Sequence, residues 1–171
     1  MKQIKLFSIL TIGILSLLIS SCRNQDVKFS DFDYSTVYFA YQYPVRTIVL
    51  GEDVTPAEPE WDIFIKEVRR EMTLKAGQRC TGIRRIFVPD NKMEEVWKAI
   101  AASLAQTVIG NPLHPSVRMG SLAGQSQRNE VREQVNKLLA SSQIVYGSLD
   151  PVEVTDADAR QGAFMSPLLL L

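Results

Sequence analysis

The sequence predicts an α/β domain, a sheet with covering helices, preceded by a signal peptide and a short β-strand pair. Three observations carry that reading. From Val54 onward the patterns run helix, strand, helix, loop, helix, strand. A lone cysteine, Cys80, falls in a glycine-flanked turn between the first of those helices and the first strand. The N-terminal block has the charge and apolar layout of an exported leader. The chain has 171 residues, 46% of them hydrophobic, enough to bury one ordinary core. Its 19 basic and 19 acidic residues cancel, so long-range electrostatics give no reason to expect a nucleic-acid partner.

In the leader, Lys2 and Lys5 precede an uncharged, mostly apolar run from Leu6 to Ile19. At about fourteen residues the run is short of the roughly twenty a membrane-spanning helix needs, so export is expected rather than permanent spanning. Leu18-Ile19-Ser20-Ser21-Cys22 resembles a bacterial lipobox, which makes Cys22 the expected lipid attachment point and that anchor the only route to a membrane. An ordinary signal peptide with a chance cysteine is the alternative. With Cys22 acylated, Cys80 has no partner for an intramolecular disulfide.

The strand pair comes next. Phe29, Phe32, Tyr34, Tyr38, Phe39, Tyr41 and Tyr43 crowd one short stretch, with Thr36 and Val37 among them, a density that argues for a strand. Pro44 interrupts it, and Val45 to Leu50 reads as a second extended run. The segment from Ser21 to Asp53 resembles the opening of the N-terminal β-sandwich of Bacteroidetes surface lipoproteins. The expected organisation is therefore a signal peptide over 1–22, a lipoprotein β fragment over 23–52 and a second unit over 53–171.

Within that second unit, Thr55-Pro56-Ala57-Glu58 has the form of a capping box, opening a helix to about Lys75. Trp61, Phe64, Ile65, Val68 and Met72 share its apolar face, and Gly77 is placed to end it. Arg84 to Val88, closed by Pro89, has the length of a buried strand. Asn91 with Glu94 suggests a second capping box. The helix after it carries Met93, Val96, Trp97, Ile100 and Leu104 inward, with Gly110 and Pro112 as its stop. A third helix over about Ser126 to Ala140 places Val131, Val135, Leu138 and Leu139 on one face, and Ile144 to Tyr146 reads as a short strand.

The chemistry concentrates at Ala76-Gly77-Gln78-Arg79-Cys80-Thr81-Gly82-Ile83-Arg84-Arg85. Turns at the ends of elements are where reactive groups are usually presented. Lys75, Arg79, Arg84 and Arg85 surround the thiol, and positive neighbours favour the nucleophilic thiolate. On spacing alone, a buried inert cysteine is an equal alternative. The same basic run reads as a solvated edge or a charge device. His114, the only histidine, lies in a loop without a carboxylate or thiol partner and is expected to be solvent-exposed. Trp61 and Trp97 are expected in the core.

Gly77-Gln78-Arg79-Cys80 resembles the active-site core of the aldehyde dehydrogenases: glycine, glutamine or glutamate, any residue, cysteine. VLGEDVTPAEPEW, FIKEVRREMTLKAGQRCTGIRRIFVP, VRMGSLAGQSQRNEVREQVNKLL and GAFMSPLLL narrow the likeness to the dehydrogenase part of the bifunctional oxepin-CoA hydrolase/semialdehyde dehydrogenases of phenylacetate degradation. That resemblance implies a partial aldehyde dehydrogenase catalytic domain with Cys80 as nucleophile. It also implies an aldehyde substrate, a CoA-linked semialdehyde among the candidates, oxidised to the acid through a thioester with NAD(P) as hydride acceptor. The family's general base and cofactor domain would precede this segment, and no G-x-G-x-x-G occurs, so the chain is expected to be inactive as it stands. The leader implies export while the dehydrogenase part implies the cytoplasm. A chimeric frame joined near Ile48 to Asp53 is the expectation that accommodates both.

Overall fold

The computed structural model of the chain describes residues 9–10, 46–80 and 82–171. The aromatic strand expected before Pro44, the lipobox with Cys22, and the leader apart from Ile9 and Leu10 lie outside the described residues.

Strand β2 (Arg46–Val49) is followed by helix α1 (Pro59–Thr73) and strand β3 (Ile83–Phe87), which returns parallel to β2, giving a β-α-β unit. Two residues of the leader run, Ile9–Leu10 (β1), pair antiparallel with the other edge of β3, so the sheet order is β1-β3-β2. The extended run expected after Pro44 is thus β2, which pairs with β3; the pairing expected with the aromatic segment before it lies outside the described residues. Burial accounts for this: Leu50 lies in the core, Ile48 packs against it, and the Leu50 N–H donates to the Phe87 carbonyl at 2.9 Å.

α1 starts four residues after Thr55. Glu58 turns back on the preceding residues: its carboxylate accepts the Thr55 N–H, and its own N–H donates to the Thr55 carbonyl at 3.0 Å. Pro59, with its fixed φ and no N–H to satisfy, then occupies the first helical position. Trp61, Phe64, Ile65, Val68 and Met72 are all buried as expected. A one-turn 3₁₀ segment over Asp90–Lys92 replaces the second expected capping box, so α2 (Met93–Leu104) begins with Lys92 in the cap position and no side-chain cap. The Lys92 ammonium instead holds the carbonyls of Glu52 and Val54. Glu94 is taken by Lys98 at 2.6 Å one turn on, and that hydrogen bond and charge hold its carboxyl below the usual range.

α2 ends well before Gly110 and Pro112. The Val108 carbonyl accepts N–H groups from Arg118 and Met119, and Gly110 runs beside Thr155, where a Cβ would stand 2.0 Å from the Thr155 carbonyl oxygen. Gly110 therefore permits a close backbone approach rather than stopping a helix. Helix α3 (Gln125–Leu138) buries Val131 and Val135 and half-covers Leu138, while Leu139 falls past its end and is exposed. Strand β4 (Ile144–Tyr146) pairs antiparallel with β5 (Leu169–Leu170). Trp61 is buried in the core, whereas Trp97 is half-buried at its margin. Among the described residues no helix is long and apolar enough to cross a membrane.

Candidate active site

The turn bearing Cys80 is shaped by what precedes it. α1 stops at Thr73, whose hydroxyl donates to the Arg69 carbonyl at 2.9 Å. The chain then passes through three successive left-handed residues, Lys75 (φ 53°), Ala76 (φ 53°) and Gly77 (φ 71°). Only the last is a glycine, so two side chains sit in a conformation that L-residues resist. Gly77 was expected to end the helix as a single cap; the reversal is instead spread over three residues.

Three side chains hold the resulting loop. Gln78 spans to the segment before α3: its amide nitrogen donates to the carbonyls of Lys75 (2.9 Å) and Ser121 (3.3 Å), and its amide oxygen accepts the Ala123 N–H at 2.9 Å. Arg79 reaches back to α1 and pairs with Glu71 at 2.6 Å, a partly buried ion pair. Arg84 comes from β3, where one terminal nitrogen donates to both the Gly77 carbonyl (3.0 Å) and the Arg79 carbonyl (2.8 Å). Burial draws its guanidinium below the ordinary arginine value, and the charge of Glu71 partly offsets that.

Cys80 occupies the corner of a turn closed by the Gly82 N–H on the Arg79 carbonyl at 3.1 Å, and it is exposed. The buried inert cysteine, an equal alternative on spacing, does not describe it. The peptide is trans, so the Cys80 N–H points away from the Arg79 carbonyl that Arg84 and Gly82 occupy. Among the described residues nothing accepts that N–H. An exposed thiol beside an unclaimed backbone donor can add to a polarised carbonyl and hold the oxygen that becomes charged.

Of the basic run, Arg79 and Arg84 are structural ties of this loop and not a solvated edge. Gln78, Glu71 and Gly82 build the loop with them. The glutamine lay within the motif, whereas the ties of Glu71 and Gly82 depend on contacts that spacing does not reveal. His114 is half-buried rather than fully exposed, with Nδ1 2.9 Å from the Ser116 hydroxyl. Among the described residues no group of three or more metal-ligating side chains comes together.

Residues 57–171 match the model of the aldehyde dehydrogenase family. The chain is 40% identical, over 74% of its length and 24% of the relative's, to a 3,4-dehydroadipyl-CoA semialdehyde dehydrogenase of Aromatoleum evansii. Among solved structures it resembles betaine aldehyde dehydrogenase of Staphylococcus aureus (TM-score 0.64, 18% identity, 74% of this chain and 24% of that one). It also resembles aldehyde dehydrogenase C of Pseudomonas syringae in complex with NAD+ and octanal (TM-score 0.60, 21% identity, the same coverage). It spans about a quarter of the length of these relatives.

Proposed function

The chain belongs to the aldehyde dehydrogenase family, and from that premise we propose that Cys80 is its nucleophile toward aldehydes. The carrying observation is that the thiol is exposed on a turn tied at three points, beside an N–H that no described group accepts. The thiol proton leaves to solvent, the sulfur forms a bond to the aldehyde carbon, and the carbonyl π pair moves onto oxygen. The Cys80 N–H donates to that oxygen, which then takes a proton to give a thiohemiacetal. Preorganised donors of this kind are worth roughly a hundredfold or more in acyl-transfer enzymes.

When bound, NAD(P) supplies the acceptor that oxidises such an adduct. The three helix starts among the described residues, at Pro59, Met93 and Gln125, carry no glycine-rich phosphate cradle. The chemistry derived from these residues stops at the adduct. The likeness to the Aromatoleum enzyme favours a CoA-linked semialdehyde as substrate.

The test is adduct formation by the full chain with a carbon-13-labelled short aldehyde such as propanal, followed by NMR. A thiohemiacetal signal stronger per thiol than that of free cysteine, absent in Cys80→Ala, is expected. Addition no better than free cysteine, or a signal that survives Cys80→Ala, ends the proposal.

For location we propose a second reading from the leader: Cys22, behind Ser20-Ser21 and the apolar run, is the lipid attachment site of an exported, membrane-anchored protein, a processing that would remove strand β1 from the sheet. Cells fed a fatty-acid probe should label the parent chain and not Cys22→Ala. Equal labelling of both removes the anchor.

A further inference from the structure

We infer that Arg84 is a positioning residue for Cys80, setting the plane of the Arg79–Cys80 peptide so that the Cys80 N–H faces the incoming carbonyl oxygen. The inference rests on the reading of Cys80 as nucleophile and extends it to a residue outside the glycine-glutamine-cysteine motif.

Three separate features of the structure converge on this arginine. The β2–β3 register steps from Arg46 opposite Ile83 to Thr47 opposite Arg85, so Arg84 is the extra residue of a β-bulge. Bulges re-aim a side chain, and here the guanidinium turns to the carbonyls of Gly77 and Arg79 while Ile86 remains in the core. The second feature is Gly82, where a Cβ would lie 2.4 Å from one terminal nitrogen of Arg84 and 3.2 Å from its central carbon. The bare glycine leaves the space in which the guanidinium sits. The third is the Arg79 carbonyl, which also accepts the Gly82 N–H. With both donors in place that carbonyl is fixed inward, and a planar trans peptide then fixes the opposite N–H outward. Arg84 is thus worth more to a reaction that charges an oxygen beside the Cys80 N–H than to one that needs only the sulfur.

Two reagents separate those cases. Aldehyde addition uses the thiol and the N–H together, whereas alkylation by iodoacetamide uses the thiol alone. In the full chain, Arg84→Gln should slow thiohemiacetal formation about tenfold, a modest share of what a lost oxyanion donor costs, with the alkylation rate within about twofold of the parent. Gly82→Ala, which keeps the arginine but displaces its guanidinium, should reproduce that split. Arg84→Lys, which retains a charged donor within reach of the two carbonyls, should recover most of the addition. It also serves if Arg84→Gln fails to fold.

Unchanged addition in Arg84→Gln and Gly82→Ala overturns the assignment while leaving the nucleophile in place. So does a parallel fall with both reagents, which would mark a merely structural arginine. If the parent itself adds aldehyde no better than free cysteine, the nucleophile reading fails and takes this assignment with it.

Discussion

Gln78 shows how one side chain can tie two segments that sequence order keeps apart. Its amide gives two donors and one acceptor, and all three are used: on Lys75, Ser121 and Ala123. An acid cannot replace it here, although the family motif admits glutamate at the position. In Gln78→Glu a carboxylate oxygen would face two carbonyl oxygens that now accept hydrogen bonds. The expected cost at neutral pH is about 1 kcal/mol, the loss of two hydrogen bonds whose acceptors remain open to water. Urea unfolding of the two chains measures it. Equal midpoints would show that the bridge contributes nothing, and that the left-handed run Lys75-Ala76-Gly77 holds the loop without it.

Elements were legible in the sequence where a single periodicity decides them. The apolar face of α1 was readable because Trp61, Phe64, Ile65, Val68 and Met72 recur at helical spacing, and the structure buries each of them. The strand before Pro89 and the short strand at Ile144 were readable from apolar length between breakers. Helix starts were misread where two local solutions compete. Thr55 and Glu58 do bond, but they close a turn ahead of the helix because Pro59 is the better first residue. Asn91 lost its cap to one extra 3₁₀ turn. Of the candidate site, Cys80 and its turn were visible as a motif. The braces were not: the role of Arg84 depends on a bulge in its pairing with β2, and that of Gln78 on a segment more than forty residues further on. Both are non-local, and periodicity carries no record of them.

Taken whole, the described residues hold two apolar clusters joined by the β4–β5 pair, since β4 also gives Ile144 to one cluster and Val145 and Tyr146 to the other. The first gathers α1, α2 and Ile86 and includes Trp61, Ile100, Leu104 and Leu169. The second gathers Val131, Val135, Met119 and Met165 and includes Leu168 and Leu170. Successive residues of a strand point to opposite faces, so β5 sends Leu169 into one cluster and its two neighbours into the other. This is why Pro167 to Leu171 reads as an unbroken apolar run: a strand covered on both faces has no polar face to alternate with. A strand pair shared in this way should make the clusters unfold as one unit. Leu170→Ala removes a side chain only 1% exposed from the second cluster, and about 2–5 kcal/mol of destabilisation is expected. Tryptophan fluorescence reports the first cluster alone, because Trp61 lies within it and Trp97 packs against it. The denaturation midpoint read by fluorescence should therefore fall as far as that read by far-ultraviolet circular dichroism, although the mutated residue belongs to the other cluster. A fluorescence midpoint that stays at the parent value while the dichroism midpoint drops would mean that the β4–β5 pair separates two independent units.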